Sequence, residues 1–214
     1  MSAGRPLSET LTIDGPAGGL ETLLEESRAS SDAGFAVVCH PHPLHGGTLH
    51  NKVVHTVARA LQELGIATLR FNFRGVGAST GRYDAGRGEL EDALAVIAYG
   101  RARWPNAPLT LAGFSFGALV ALLAAPTSAP VRLITVAPPA NRSEFNAVVQ
   151  PSCPWLIVQG DADEIVDFRQ VQAFAARFTP PPQLRLLPGV THLFDRHLGE
   201  LRDAVTAFVS AQIS

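Results

Sequence analysis

Apolar positions along the chain fall into two alternating kinds of run, short continuous ones and longer ones that repeat at helical spacing. Phe35-Ala-Val-Val-Cys-His40 is a short continuous run of the kind that forms a strand buried on both faces. Ile66–Asn72, Leu109–Phe114, Val131–Ala137, Pro154–Gly160 and Gln183–Leu187 read as further strands, the last after the stiff loop Pro180-Pro-Pro182. Between them, Val53, Val54, Val57, Ala58, Leu61 and Leu64 repeat at helical spacing from about Asn51, and Gly65 stops the helix. Leu90, Ala93, Leu94, Ile97 and Ala98 mark a second helix and the run after Ser115 a third; Phe168–Phe178 and His197–Ala211 supply two more. Residues 8–26 alternate loosely around Asp14-Gly-Pro-Ala-Gly-Gly19, which predicts two strands joined by a glycine-rich turn at a sheet edge. The order β-β-β-α-β-α-β-α-β-β-α-β-α predicts a mostly parallel sheet of about eight strands with helices on both faces, one α/β domain over residues 1–214.

Composition narrows the partners rather than the fold. With 46% hydrophobic and 17% charged residues the chain can bury a large core. A net charge of −2 and arginines spread out between Arg70 and Arg103 argue against nucleic acid or an anionic membrane surface, which need a concentrated basic face. Met1–Thr10 has no apolar core of a leader, and no stretch offers about 18 uninterrupted apolar residues, so no membrane insertion and a cytoplasmic location are expected. Cys39 and Cys153 make no disulfide framework and fit free thiols in a reducing compartment. The oligomeric state is not written in the sequence.

In a sheet of this kind ligands bind beyond the carboxyl ends of the strands, which directs attention to the loops there. The strand Leu109–Phe114 runs into Gly113-Phe-Ser-Phe-Gly117 and then into helix-forming sequence. G-x-S-x-G between strand and helix is the nucleophile elbow, a strained turn that exposes the Ser115 hydroxyl above the sheet. A serine hydroxyl needs a histidine to take its proton, and the histidine a carboxylate to fix its tautomer; elbow enzymes supply them in the order Ser, acid, His. Downstream of Ser115, His192 follows a strand directly, whereas His197 falls in the last helix, so His192 is the expected base. Gly160-Asp-Ala-Asp-Glu-Ile-Val-Asp167 offers Asp161, Asp163, Glu164 and Asp167 as the acid; spacing does not choose among them, although Asp167 before Phe168 reads as a helix cap.

Taken together these motifs resemble the α/β-hydrolase family over nearly the whole chain. Asn72-Phe-Arg-Gly-Val-Gly-Ala-Ser79 is similar to that family's D-x-R-G-x-G-x-S loop, with Asn72 where Asp is usual, and the family's G-x-x-D-x-x-V maps onto Gly160, Asp163 and Val166. The resemblance thus implies Asp163 as the acid. His40-Pro-His-Pro-Leu-His-Gly-Gly-Thr48 resembles the H-P-H-P-x-x-G-G-T loop of small bacterial hydrolases of esterase or dienelactone-hydrolase type.

An oxyanion hole would use the Phe116 N–H and an N–H of the loop 41–47, where Pro41 and Pro43 have none to give. By analogy with the family the second donor is His42, with Leu44 as the alternative, while His40 is a loop-fixing residue. Too few residues separate Ala137 from Pro154 for a helical lid, so no cap domain is expected. Leu44, Phe116, Pro139, Phe145 and Phe194 would then line a shallow acyl pocket. The expected activity is hydrolysis of a small-molecule carboxylic ester, or a thioester, lactone or amide, through an acyl-enzyme on Ser115 and without a cofactor. Three other readings compete: a zinc hydrolase using His40, His42 and His45, with Leu44 where Asp would be needed; a dinucleotide site at Gly75, Gly77 and Gly81; and a non-catalytic binding protein of the same fold.

Overall fold

The computed structural model describes residues 7–26 and 33–213; residues 1–6 of the stretch read above as lacking a leader lie outside the described residues. Eight strands form one sheet in the order β1-β2-β4-β3-β5-β6-β7-β8. They are β1 (Leu7–Gly15), β2 (Gly18–Glu26), β3 (Phe35–Cys39), β4 (Ala67–Phe71), β5 (Leu109–Phe114), β6 (Arg132–Val136), β7 (Trp155–Gly160) and β8 (Gln183–Leu187). The β1–β2 hairpin joins antiparallel to β4, and the remaining pairings are parallel. The helices are α1 (Lys52–Glu63), α2 (Arg87–Arg103), α3 (Phe116–Ser128), α4 (Phe168–Ala175) and α5 (Leu198–Ile213).

Strand residues of alternate parity sort the core into two layers. Val37, Leu111, Leu133 and Ile157 pack under α2, α3 and α4, whereas Val38, Ala112, Ile134 and Leu156 pack under α1 and α5. Strands β3 to β7 are buried along their whole length, which is why their sequences read as unbroken apolar runs. β8 alternates exposed and half-buried positions, as an edge strand does. Each fully buried Leu, Ile, Val or Phe contributes about 1.5–3 kcal/mol of transfer free energy, and these two layers hold the strand ends rigidly enough to carry a site.

Helix boundaries follow local chemistry. Asn51 caps α1 by accepting hydrogen bonds from Val53 N and Val54 N, and Gly65 ends it at φ +84°. The helix expected over Phe168–Phe178 stops at Ala175. Pro180 disfavours helical backbone at Thr179, and Phe178 turns inward to stack on Trp155 and Phe174. Residues 137–154 form loops and a short 3-10 turn, Ser143–Ala147, with no cap domain over the sheet. Among the described residues no helix is long and apolar enough to cross a membrane.

Candidate active site

Register brings the ends of β3, β5 and β6 level, with Cys39 opposite Gly113 and Gly113 opposite Thr135, so their loops emerge side by side. Ser115 links β5 to α3 at φ 54° and ψ −118°, a strained conformation for a non-glycine residue that costs on the order of 1–3 kcal/mol. Its N–H donates to the Val136 carbonyl at 2.8 Å and its carbonyl accepts from Ala118 N at 2.9 Å, which holds the turn. Both elbow glycines are dictated by backbone contact. A Cβ at Gly113 would lie 2.1 Å from the Gly117 carbonyl oxygen, and one at Gly117 would lie 2.3 Å from the Cys39 oxygen. Phe116 is the first residue of α3, where an N–H has no intrahelical acceptor and carries the positive end of the helix dipole.

His192 sits on the loop after β8, buried against the Phe114 ring. Its Nε2 is 3.1 Å from Ser115 Oγ and its Nδ1 is 2.8 Å from Asp163 Oδ2. Asp163 lies on the loop after β7, with its side chain fully buried. Its Oδ1 accepts from Ile165 N at 2.9 Å and Val166 N at 2.8 Å, and Oδ2 also accepts from Gln159 Nε2 at 2.9 Å. Burial alone would raise the Asp163 pKa; hydrogen bonds from His192 and the Val166 and Ile165 amides outweigh it and hold the carboxyl below its ordinary value. An ionised Asp163 keeps the proton on Nδ1 and leaves the Nε2 lone pair facing the serine.

The other three acids have different work. Asp161 accepts from Gly189 N at 2.7 Å and joins the two loops; Glu164 accepts the His192 backbone N–H at 3.2 Å; Asp167 caps α4 through Arg169 N. Gln159, which pattern reading passed over, is fully buried, and its amide N–H group faces Asp163 and the carbonyls of Gly160 and Val166. Its signal was a polar residue in an otherwise apolar strand.

The loop after β3 is pinned by His40. Its Nδ1 meets the Pro41 carbonyl at 2.6 Å, which makes Nδ1 the donor, and Nε2 accepts from Phe73 N at 3.0 Å. Burial pushes the His40 pKa down to about 4 against the pull of the Pro41 carbonyl, so the ring is neutral. With both nitrogens engaged His40 has no lone pair for a metal, and His42 and His45 stack on each other with centroids 4.4 Å apart. Among the described residues no group of three or more His, Cys, Asp or Glu is arranged to hold a metal ion. His42 Nδ1 accepts from Leu44 N at 3.2 Å, so the Leu44 N–H is already engaged within the loop.

The loop after β4 is closed by the motif residues themselves. Asn72 Oδ1 accepts from Leu49 N at 2.8 Å while its Nδ2 donates to Glu21 at 2.7 Å, a pairing that requires an amide and explains why Asp is absent. Ser79 Oγ donates to the Asn72 carbonyl, and Arg74 forks onto buried Asp92 of α2. α2 begins only at Arg87, so no helix N-terminus follows Gly75, Gly77 and Gly81 as a dinucleotide site needs.

Three expected pocket residues, Pro139, Phe145 and Phe194, are corrected as buried. Phe145 is 1% exposed and packs edge-on against Phe174, and Phe194 is fully buried edge-on against Phe114. Both turn inward because the core on either sheet face accepts their rings. The Phe116 ring is likewise 2% exposed and Pro139 is buried, whereas Leu44 is 67% exposed on the rim. Tyr83 and Arg142, which carried no sequence signal, stand beside the His42 loop.

The family model described as serine aminopeptidase, S33 (Hydrolase_4) matches residues 42–151, which include the elbow. The chain belongs to the α/β-hydrolase superfamily. Among solved structures, this hydrolase is similar to XC6422 from Xanthomonas campestris, described as an a/b serine hydrolase without lid. The identity is 44%, covering 99% of this chain and 97% of that one, with a TM-score of 0.91. An alpha-beta serine hydrolase homologue from Coxiella burnetii shares 46% identity over 93% of this chain and 96% of its own, with a TM-score of 0.90. Est1E from Butyrivibrio proteoclasticus, solved with ferulic acid bound, is 25% identical over 95% and 99% of the two chains, with a TM-score of 0.84.

Proposed function

We propose that this α/β hydrolase cleaves a small-molecule carboxylic ester through an acyl-enzyme on Ser115. The carrying observation is the hydrogen-bonded line from Ser115 Oγ to His192 Nε2 at 3.1 Å and from His192 Nδ1 to Asp163 Oδ2 at 2.8 Å. Ser115 Oγ attacks the ester carbonyl carbon as its proton passes to His192 Nε2. Asp163 stabilises the imidazolium and holds its orientation. The carbonyl oxygen becomes an oxyanion, held by the Phe116 N–H and the His42 N–H; the Leu44 N–H is committed to the His42 ring, which favours His42 as the second donor.

Collapse breaks the bond to the leaving oxygen, which takes its proton from His192 Nε2. Water then attacks the acyl-enzyme, His192 accepting the water proton and returning it to Ser115 Oγ as the carboxylic acid departs. Apart from the attacking water, every group used belongs to the chain. A thioester, lactone or amide could be opened by the same groups, but the ester reading draws support from the likeness to Est1E, the ferulic acid-bound structure. Cys39 and Cys153 are both free, which supports a reducing, cytoplasmic setting.

Purified enzyme should hydrolyse 4-nitrophenyl esters and be labelled by a fluorophosphonate probe. Ser115→Ala should abolish labelling and lower kcat by about 10⁴-fold or more. Near-wild-type turnover by Ser115→Ala would overturn the mechanism.

A further inference from the structure

Beside the oxyanion loop stands a polar cluster that the proposed mechanism does not use. Tyr83 comes from the loop before α2, His42 from the loop after β3 and Arg142 from the loop after β6. Tyr83 Oη is 3.1 Å from His42 Nε2, and the two rings, 5.0 Å apart, rest on the Phe116 ring at 6.0 Å and 5.0 Å. Arg142, whose positive charge acts on both Tyr83 and His42, is held by Glu144 at 2.5 Å.

Proton bookkeeping fixes the direction of these bonds. The Leu44 N–H donates to His42 Nδ1, so Nδ1 carries the lone pair and neutral His42 carries its proton on Nε2. His42 therefore donates to Tyr83 Oη. With its oxygen accepting from His42, Tyr83 has its own O–H left to give. Burial together with the neighbouring Glu89 and Glu144 carboxylates raises the Tyr83 pKa despite Arg142, so the phenol keeps that proton at neutral pH.

Geometry of the reaction then says what meets it. The leaving oxygen must reach His192 Nε2 to take its proton, which commits the alcohol to the His192 side of the site. Tyr83 instead rests on His42 and Phe116, the residues whose N–H groups are proposed to hold the carbonyl oxygen, and the acyl chain is the part of the substrate left to meet it. We infer that Tyr83 is a specificity-determining donor that reads an oxygen acceptor on the substrate's acyl chain. The substrate class is accordingly an ester of an oxygen-bearing acid rather than of a plain alkanoic acid. This inference rests on the acyl-enzyme reading above.

The test is a panel of 4-nitrophenyl esters whose acyl chains carry a keto or ether oxygen at successive positions, each paired with its carbon isostere. Wild-type enzyme should prefer the oxygen-bearing member at one or more positions by about five- to tenfold in kcat/KM, the size of a net hydrogen bond. In Tyr83→Phe that ratio should fall to within about twofold of unity, a readout that a purely structural role of the hydroxyl would leave unmoved because both members of a pair would slow together. No preference at any position in the wild type, or a preference retained by Tyr83→Phe, overturns the assignment of Tyr83 while leaving the hydrolase reading intact. Absence of Ser115-dependent turnover in the wild type overturns both.

Discussion

Gln159 Nε2 and His192 Nδ1 converge on one atom, Asp163 Oδ2, at 2.9 Å and 2.8 Å. The amide keeps negative charge on the oxygen that the imidazole must face. Gln159→Glu would set a second carboxylate against Asp163 and raise its pKa. The acid limb of the kcat/KM pH profile should move to higher pH, and kcat should fall by about 10-fold or more. Gln159→Leu, which removes the donor without adding charge, should shift the limb less and cost about 1–3 kcal/mol in urea unfolding. An unmoved acid limb in Gln159→Glu would mean the amide does not tune the acid.

The four acids between Asp161 and Asp167 separate by substitution. Asp163→Asn should lower kcat by about 10⁴-fold, because the amide no longer fixes the His192 tautomer. Asp161→Asn touches only the Gly189 amide and should stay within a few-fold of wild type. Steady-state kinetics on one ester decides between them.

His40 makes stability depend on pH. In the fold its pKa is about 4 against 6.5 for the free side chain, so the unfolded chain binds a proton that the folded one refuses. Stability is full above pH 6.5 and falls as the pH drops toward 4, by about 3 kcal/mol at most. His40→Gln, able to accept the Phe73 N–H without titrating, should flatten that part of the curve in urea unfolding at pH 7, 6 and 5.

Asn72→Asp restores the residue usual in the family's loop, yet here it should destabilise by about 1–3 kcal/mol, because the new carboxylate faces Glu21. Glu21→Gln in the same chain should recover much of the loss. A double-mutant cycle by thermal or urea unfolding measures the coupling.

Strand and helix order was readable because strands β3 to β7 are covered on both faces and so carry unbroken apolar runs, while α1 and α4 bury one side only. Ser115 was readable for a different reason: Gly113 and Gly117 are forced by backbone crowding, which leaves a fixed spelling in the sequence. The acid was not separable by spacing, since the choice depends on how the turn closes. Asp163 is the one that meets the His192 ring, on a turn closed by the Ile165 and Val166 amides, a bond pattern with no periodicity. Phe145 and Phe194 were misassigned because an apolar residue beside a site is spelled the same whether it turns out or in. Tyr83 and His42 meet across loops distant in sequence, and nothing local announces the meeting.

The stretch 137–154, which sets no cap over the sheet, bears on what would compete for the proposed acyl-enzyme. A lid shuts bulk solvent out and lets a chosen acceptor capture the acyl group; an open site leaves the carbonyl bathed in water throughout its lifetime. Partition should therefore run to hydrolysis even when another alcohol is abundant, and each turnover should end without waiting for any segment to lift.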